Sequence, residues 1–207
     1  MKQLMRFLRS VLLISCVVLL SLRESSAQGT ITFDGPPLQP PGSAYNVQSY
    51  QESGVWFAPI LGTDGFGRCG SNPREFWPDN GTAYVFAMSG DSLMFGLDDE
   101  SEFSLISVDL AEWSTGYPGP VSVRFVGYKS DGSSVTAQLV TDGIFDGTGP
   151  LADFETLYFD SRFTGLTRVH IPTTSWNLDN LVIAVPEPGT ASLILFGLGA
   201  LALKRRQ

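Results

Sequence analysis

The chain has 207 residues, 43% hydrophobic and 12% aromatic, a composition that excludes intrinsic disorder and suits one folded domain. The formal net charge is −8, but seven of the 13 basic residues and only two of the 21 acidic ones lie in the terminal segments, leaving six basic against 19 acidic residues between them. So acidic a middle lacks the basic footprint that nucleic acid or an anionic membrane surface requires, and it favours cations instead.

Residues 1–27 read as a cleavable signal peptide, which implies a leading signal helix. Lys2, Arg6 and Arg9 form its charged region, and Ser10 to Leu22 is an apolar run of 13 residues. That run is shorter than the roughly 20 apolar residues of a spanning helix. Ser25-Ser26-Ala27 supplies small residues, so signal peptidase is expected to cut after Ala27. Leu13-Ile14-Ser15-Cys16 resembles a lipoprotein box with Cys16 as the lipidated residue, yet Val17-Val18-Leu19-Leu20 continues the apolar run where a lipoprotein turns polar. Removal of Cys16 leaves Cys69 as the single cysteine, so no intramolecular disulfide can form.

Residues 28–184 form the expected domain. No helical periodicity stands out, whereas strand-like alternation recurs in Thr30–Phe33, Val55–Pro59, Ala83–Met88, Ser92–Gly96, Phe103–Leu110, Val121–Tyr128, Ser134–Val140, Phe154–Phe159, Leu166–Ile171 and Trp176–Ala184. Lys129-Ser130-Asp131-Gly132-Ser133 separates two alternating segments and carries Asp-Gly, whose residues tolerate the positive φ of a hairpin turn. Short strands joined by Gly- and Pro-rich turns predict an all-β antiparallel sandwich.

Catalytic motifs are sparse. The lone histidine, His170, reads as a surface or edge-strand residue, and Cys69 lies in the Gly-rich stretch Gly65–Gly70, read as a loop. One histidine and one mature cysteine make a zinc site of nitrogen and sulfur ligands a poor fit, and there is no nucleophile elbow or phosphate loop. A glycosidase needs two carboxylates, and Glu52, Glu75, Glu102, Glu112 and Glu155 are available without a recognisable catalytic pattern. Aromatics point to binding instead, because sugar rings stack on Trp and Tyr faces. Trp113 and Tyr117 lie in one predicted loop and Trp77 in another, whereas Trp56 and Trp176 lie in strands and read as core.

The opening Ile31-Thr32-Phe33-Asp34-Gly35 and the closing Trp176-Asn177-Leu178-Asp179-Asn180-Leu181-Val182-Ile183 resemble the end strands of jelly-roll galactose-binding-like and carbohydrate-binding modules. The resemblance implies that first and last strands pair, with a structural calcium near their junction. Asp34, Asp179 and Asn180 offer the oxygen ligands calcium prefers. The alternative is that Asp34 starts a turn and Asp179 bonds a neighbouring loop.

The chain closes with Val185-Pro186-Glu187-Pro188-Gly189, an apolar stretch from Thr190 to Leu203, and the cluster Lys204-Arg205-Arg206. The prolines stop any preceding element. The 15 residues from Gly189 to Leu203 would reach about 22 Å as a transmembrane helix, with the basic cluster on the cytoplasmic side. This order resembles the PEP-CTERM sorting tail, here residues 185–207. The resemblance implies an exosortase that recognises Pro186, Glu187 and Pro188 at the inner membrane. The expected protein is therefore an exported, non-enzymatic, exopolysaccharide-associated protein of the cell surface or matrix. The alternatives are a carbohydrate-binding module with a defined glycan and, less favoured, a glycosidase.

Overall fold

A computed structural model describes residues 26–36, 43–60, 66–70, 77–87, 92–114, 116–117, 119–144 and 153–187. Gln28–Val185 is one compact unit; Met1–Ala27 with Pro186–Gln207 is a second, almost wholly outside the described residues. The expected signal helix and C-terminal helix fall outside them, as do Lys2, Arg6, Arg9, Cys16, Glu75, Pro188, Lys204, Arg205 and Arg206. Among the described residues no helix is long and apolar enough to cross a membrane.

The described elements are all strands: β1 (Ser26–Ile31), β2 (Ala44–Val47), β3 (Tyr50–Glu52), β4 (Val55–Pro59), β5 (Phe66–Cys69), β6 (Tyr84–Ala87), β7 (Leu93–Leu97), β8 (Ser104–Ala111), β9 (Ser122–Lys129), β10 (Ser134–Val140), β11 (Glu155–Tyr158), β12 (Leu166–Ile171) and β13 (Trp176–Pro186). They form two sheets. One runs β11-β8-β13-β6-β5-β2, with β1 also paired to β13; the other runs β10-β9-β12-β7-β4-β3. The fold is thus the expected antiparallel sandwich, and its first and last strands pair. Cleavage after Ala27 would trim only two exposed residues from β1.

Alternation sets the layers. In β9, Val123 and Phe125 are buried while Ser122 and Arg124 are exposed. Inner faces of both sheets supply one core that includes Phe33, Phe57, Phe95, Leu110, Phe125 and Trp176. Phe57 meets Phe33 edge to face at 5.1 Å and lies tilted against Phe95 at 5.3 Å between ring centroids, as aromatic quadrupoles prefer. The Asp131–Gly132 hairpin forms as predicted, with Gly132 at φ 83° and Ser133 N–H donating to Asp131 Oδ1 at 2.8 Å.

Sequence periodicity misses three strands. β2, β3 and β5 are three or four residues long, too short to display an alternation. The stretch around Cys69, expected as a loop, is the fully buried strand β5. Its Gly67 pairs with Phe86, and a Cβ on Gly67 would lie 1.8 Å from that ring, so glycine here makes room for the neighbouring phenylalanine. Two further expectations change. His170, expected at the surface or on an edge strand, faces outward but from an interior strand, because β12 has β9 on one side and β7 on the other. Trp56 is only half-buried, since Val55 and Phe57 take the core face of β4; its indole N–H donates to the Leu97 carbonyl at 3.2 Å.

Candidate functional site

Two of the aromatic candidates, Trp77 and Trp113, lie on the outer face of the larger sheet. In β6, Val85 and Ala87 point into the main core, while Tyr84 and Phe86 join Cys69 in a second cluster on the opposite face. Trp77, Trp113 and Phe154 cover this cluster. Trp77 stands edge-on to Phe86 at 4.7 Å, and Trp113 lies 5.8 Å from both rings. The two tryptophans therefore come together, but packing uses part of their faces. Tyr117 closes a tight turn through its N–H to the Ser114 carbonyl, and its side chain is 73% exposed.

The expected calcium ligands sit in a hydrogen-bonded knot. Asp179 is buried in β13. Its Oδ2 accepts from the Asn80 amide and from Thr82 Oγ1 at 2.9 Å, and its Oδ1 accepts from Asn180 N–H at 2.7 Å. Burial pushes its pKa up to about 7 against the downward pull of those donors, with the nearby Asp34 charge adding to the rise. Asn180 has φ 44°, at a register shift where β13 bulges, and its amide donates to Asp109 Oδ2 at 2.8 Å. Asp34 Oδ1 accepts from Ala83 N–H at 3.1 Å. A cation here would have to displace Asn80 and Thr82 from Asp179.

The segment after β1 is clamped from two sides. Glu52 accepts from Thr32 and Phe33 N–H, each at 2.9 Å, and from the Tyr50 hydroxyl at 2.6 Å. The buried Arg68 guanidinium donates to the carbonyls of Phe33, Asp34 and Pro36. No signal in the sequence marks Arg68, because its acceptors are backbone groups about 35 residues away.

A third group was visible in the sequence only as separate acids. Glu112 follows β8, Asp142 follows β10 and Glu155 opens β11; one carboxylate oxygen from each lies within 4.8 Å of the others. Asp142 N–H donates to Glu155 Oε1 at 2.6 Å and Gly143 N–H to Glu112 Oε1 at 2.8 Å. Glu112 has no exposed surface, and its Oε2 has no hydrogen-bond partner. Burial pushes the Glu155 carboxyl up, and the charges of Asp142 and Glu112 add to the rise.

Cys69 and His170 do not pair. Cys69 lies in the cluster outside the larger sheet, whereas His170 alternates with core-facing Val169 and Ile171 and so points out of the smaller sheet. Burial pushes the Cys69 thiol up, away from a reactive thiolate.

At the far end of β13, Pro186 and Glu187 are exposed. Residues 184–207 match the PEP-CTERM protein-sorting motif. The match implies export, transient anchoring through the C-terminus and processing by an exosortase, followed by residence at the cell surface. The protein is thus an all-β sandwich of antiparallel strands that ends in a sorting segment. No curated protein matches the chain. Among solved structures, a mutant family 29 carbohydrate-binding module is similar with a TM-score of 0.37 and 13% identity over 77% of this chain and 92% of that one. A family 11 carbohydrate-binding module from Clostridium thermocellum has a TM-score of 0.31 and 10% identity over 77% and 96%. A peptidoglycan O-acetylesterase has a TM-score of 0.40 and 14% identity over 79% and 35%. Likeness this faint decides neither ligand nor activity.

Proposed function

We propose that the protein is exported, held in the inner membrane by its tail, released by an exosortase-like enzyme, and deployed as a non-enzymatic component of the cell surface or exopolysaccharide matrix. The carrying observation is the sorting-motif match at residues 184–207, whose Pro186 and Glu187 emerge exposed from the last strand. The non-enzymatic reading is supported by where the acids sit. Both Glu52 oxygens are taken by protein donors, and Glu112 has no surface from which to reach a glycosidic oxygen. The test is intact mass of the protein recovered from the surface of a host that carries an exosortase. The wild-type chain should begin at Gln28 and lack the tail. Replacing Pro186, Glu187 and Pro188 with alanine should leave the tail in place and the protein in the membrane fraction. A wild-type protein that keeps its tail, or a variant that loses it as the wild-type protein does, would overturn the proposal.

A second reading, glycan binding, is favoured by the exposed Tyr117 ring in the turn that follows Trp113. Its test is a glycan array, followed by Trp77, Trp113 and Tyr117 to alanine. Unchanged affinity in that triple variant would remove these residues from the site.

A further inference from the structure

We infer that Glu112, Asp142 and Glu155 form a divalent-cation site of calcium type that ties the two sheets together at one edge of the sandwich. β11 is an end strand of the larger sheet and β10 an end strand of the smaller one. Glu112 and Glu155 belong to the larger sheet, where Glu155 pairs with Leu110, two residues before Glu112. Asp142 arrives from the smaller sheet, just past β10. The cluster therefore sits where the two edges are joined by the Asp142 and Gly143 amides.

Three carboxylates so close repel one another, and among the described residues neither Lys nor Arg forms an ion pair with any of them. The independent sign is Glu112. It has no exposed surface, the Asn177 amide grips its backbone carbonyl at 2.6 Å, and its Oε2 lacks any donor. A buried carboxylate oxygen left unpaired is unfavourable unless a cation or a proton meets it. Calcium bonds oxygen at about 2.3–2.6 Å, so oxygens sharing one ion lie up to about 5 Å apart, which accommodates this spacing. All-oxygen donors suit a hard ion rather than a zinc or copper ion, and the exposed Asp142 leaves a side open for water to complete the shell. This site is separate from Asp34, Asp179 and Asn180; both Asp179 oxygens already accept from Asn80, Thr82 and Asn180.

The test uses the full-length protein in detergent, stripped of metal and titrated with calcium by calorimetry and thermal melting. Calcium should bind the wild-type protein and raise its melting temperature. Asp142→Asn and Glu155→Gln should each weaken binding about tenfold or more, yet melt no lower than the wild-type protein in chelator, because each relieves repulsion. Hydrogen exchange on the wild-type protein gives a readout that needs no variant: calcium should slow exchange of the Asp142 and Gly143 amides. No calcium response at millimolar concentration, magnesium binding as tight as calcium, or calcium protection confined to other segments would each overturn the inference. A response retained in both variants would overturn it too, and would move the ion elsewhere.

Discussion

Asp179 illustrates how one side chain's chemistry depends on neighbours remote in sequence. Its carboxyl is buried and accepts from Asn80 and Thr82, 99 and 97 residues away. The native pKa of about 7 lies above the ordinary 3.8, so the folded state holds the proton more tightly than the unfolded chain. The ionisation-linked cost of burial is therefore absent at a pH below the ordinary value. The cost grows as pH rises through that window and is complete above the native value, with a slope of at most about 1.4 kcal/mol per pH unit. Melting temperatures of the wild-type protein and Asp179→Asn should reveal this. The wild-type protein should lose ground to the variant as pH rises from about 4 to about 7, and the difference should then level off. A pH-independent difference would show that folding does not raise the pKa of Asp179. Asp179 was legible as an unusual acid in a final strand. Its donors were not, because nothing local to the sequence announces them.

At the scale of elements, the outer face of the larger sheet is the least expected feature. Gly67 on β5 leaves room for Phe86 on β6, and Trp77 and Trp113 pack over that ring. Gly67→Ala should cost about 1–3 kcal/mol in denaturant unfolding, because the added methyl collides with a ring held by two strands. Phe86→Leu should recover part of that loss in the double variant, a non-additivity that a double-mutant cycle measures directly. Tyr117→Ala, by contrast, should change stability by less than about 0.5 kcal/mol, because the side chain is mostly in solvent. That difference matters for the glycan test. Lost binding in Tyr117→Ala reports on the ligand, whereas lost binding in Trp113→Ala must first be separated from unfolding. The longer strands β9, β10 and β12 were readable because one buried face imposes a period of two. The short β2, β3 and β5 were not, and β5 in particular is covered on both faces, which erases the alternation.

For the whole molecule, folding and addressing are read as separate jobs. Truncation after Glu187 should leave the unfolding free energy within about 0.5 kcal/mol of the full chain, while abolishing exosortase processing. A larger loss would mean the tail contributes to the core. Sequence alone determined the all-β class, the pairing of hairpin strands around Asp131–Gly132, and the sorting segment at the end. Such features are carried by local periodicity, turn chemistry and linear motifs, which a processing enzyme also meets as linear chain. Only the tertiary structure decided that Trp77 and Trp113 share a cluster, that Asp179 is pinned by Asn80 and Thr82, and that Glu112, Asp142 and Glu155 converge. Those outcomes depend on how two sheets are laid face to face, a long-range arrangement set by collective burial of the core and not by any single stretch of residues.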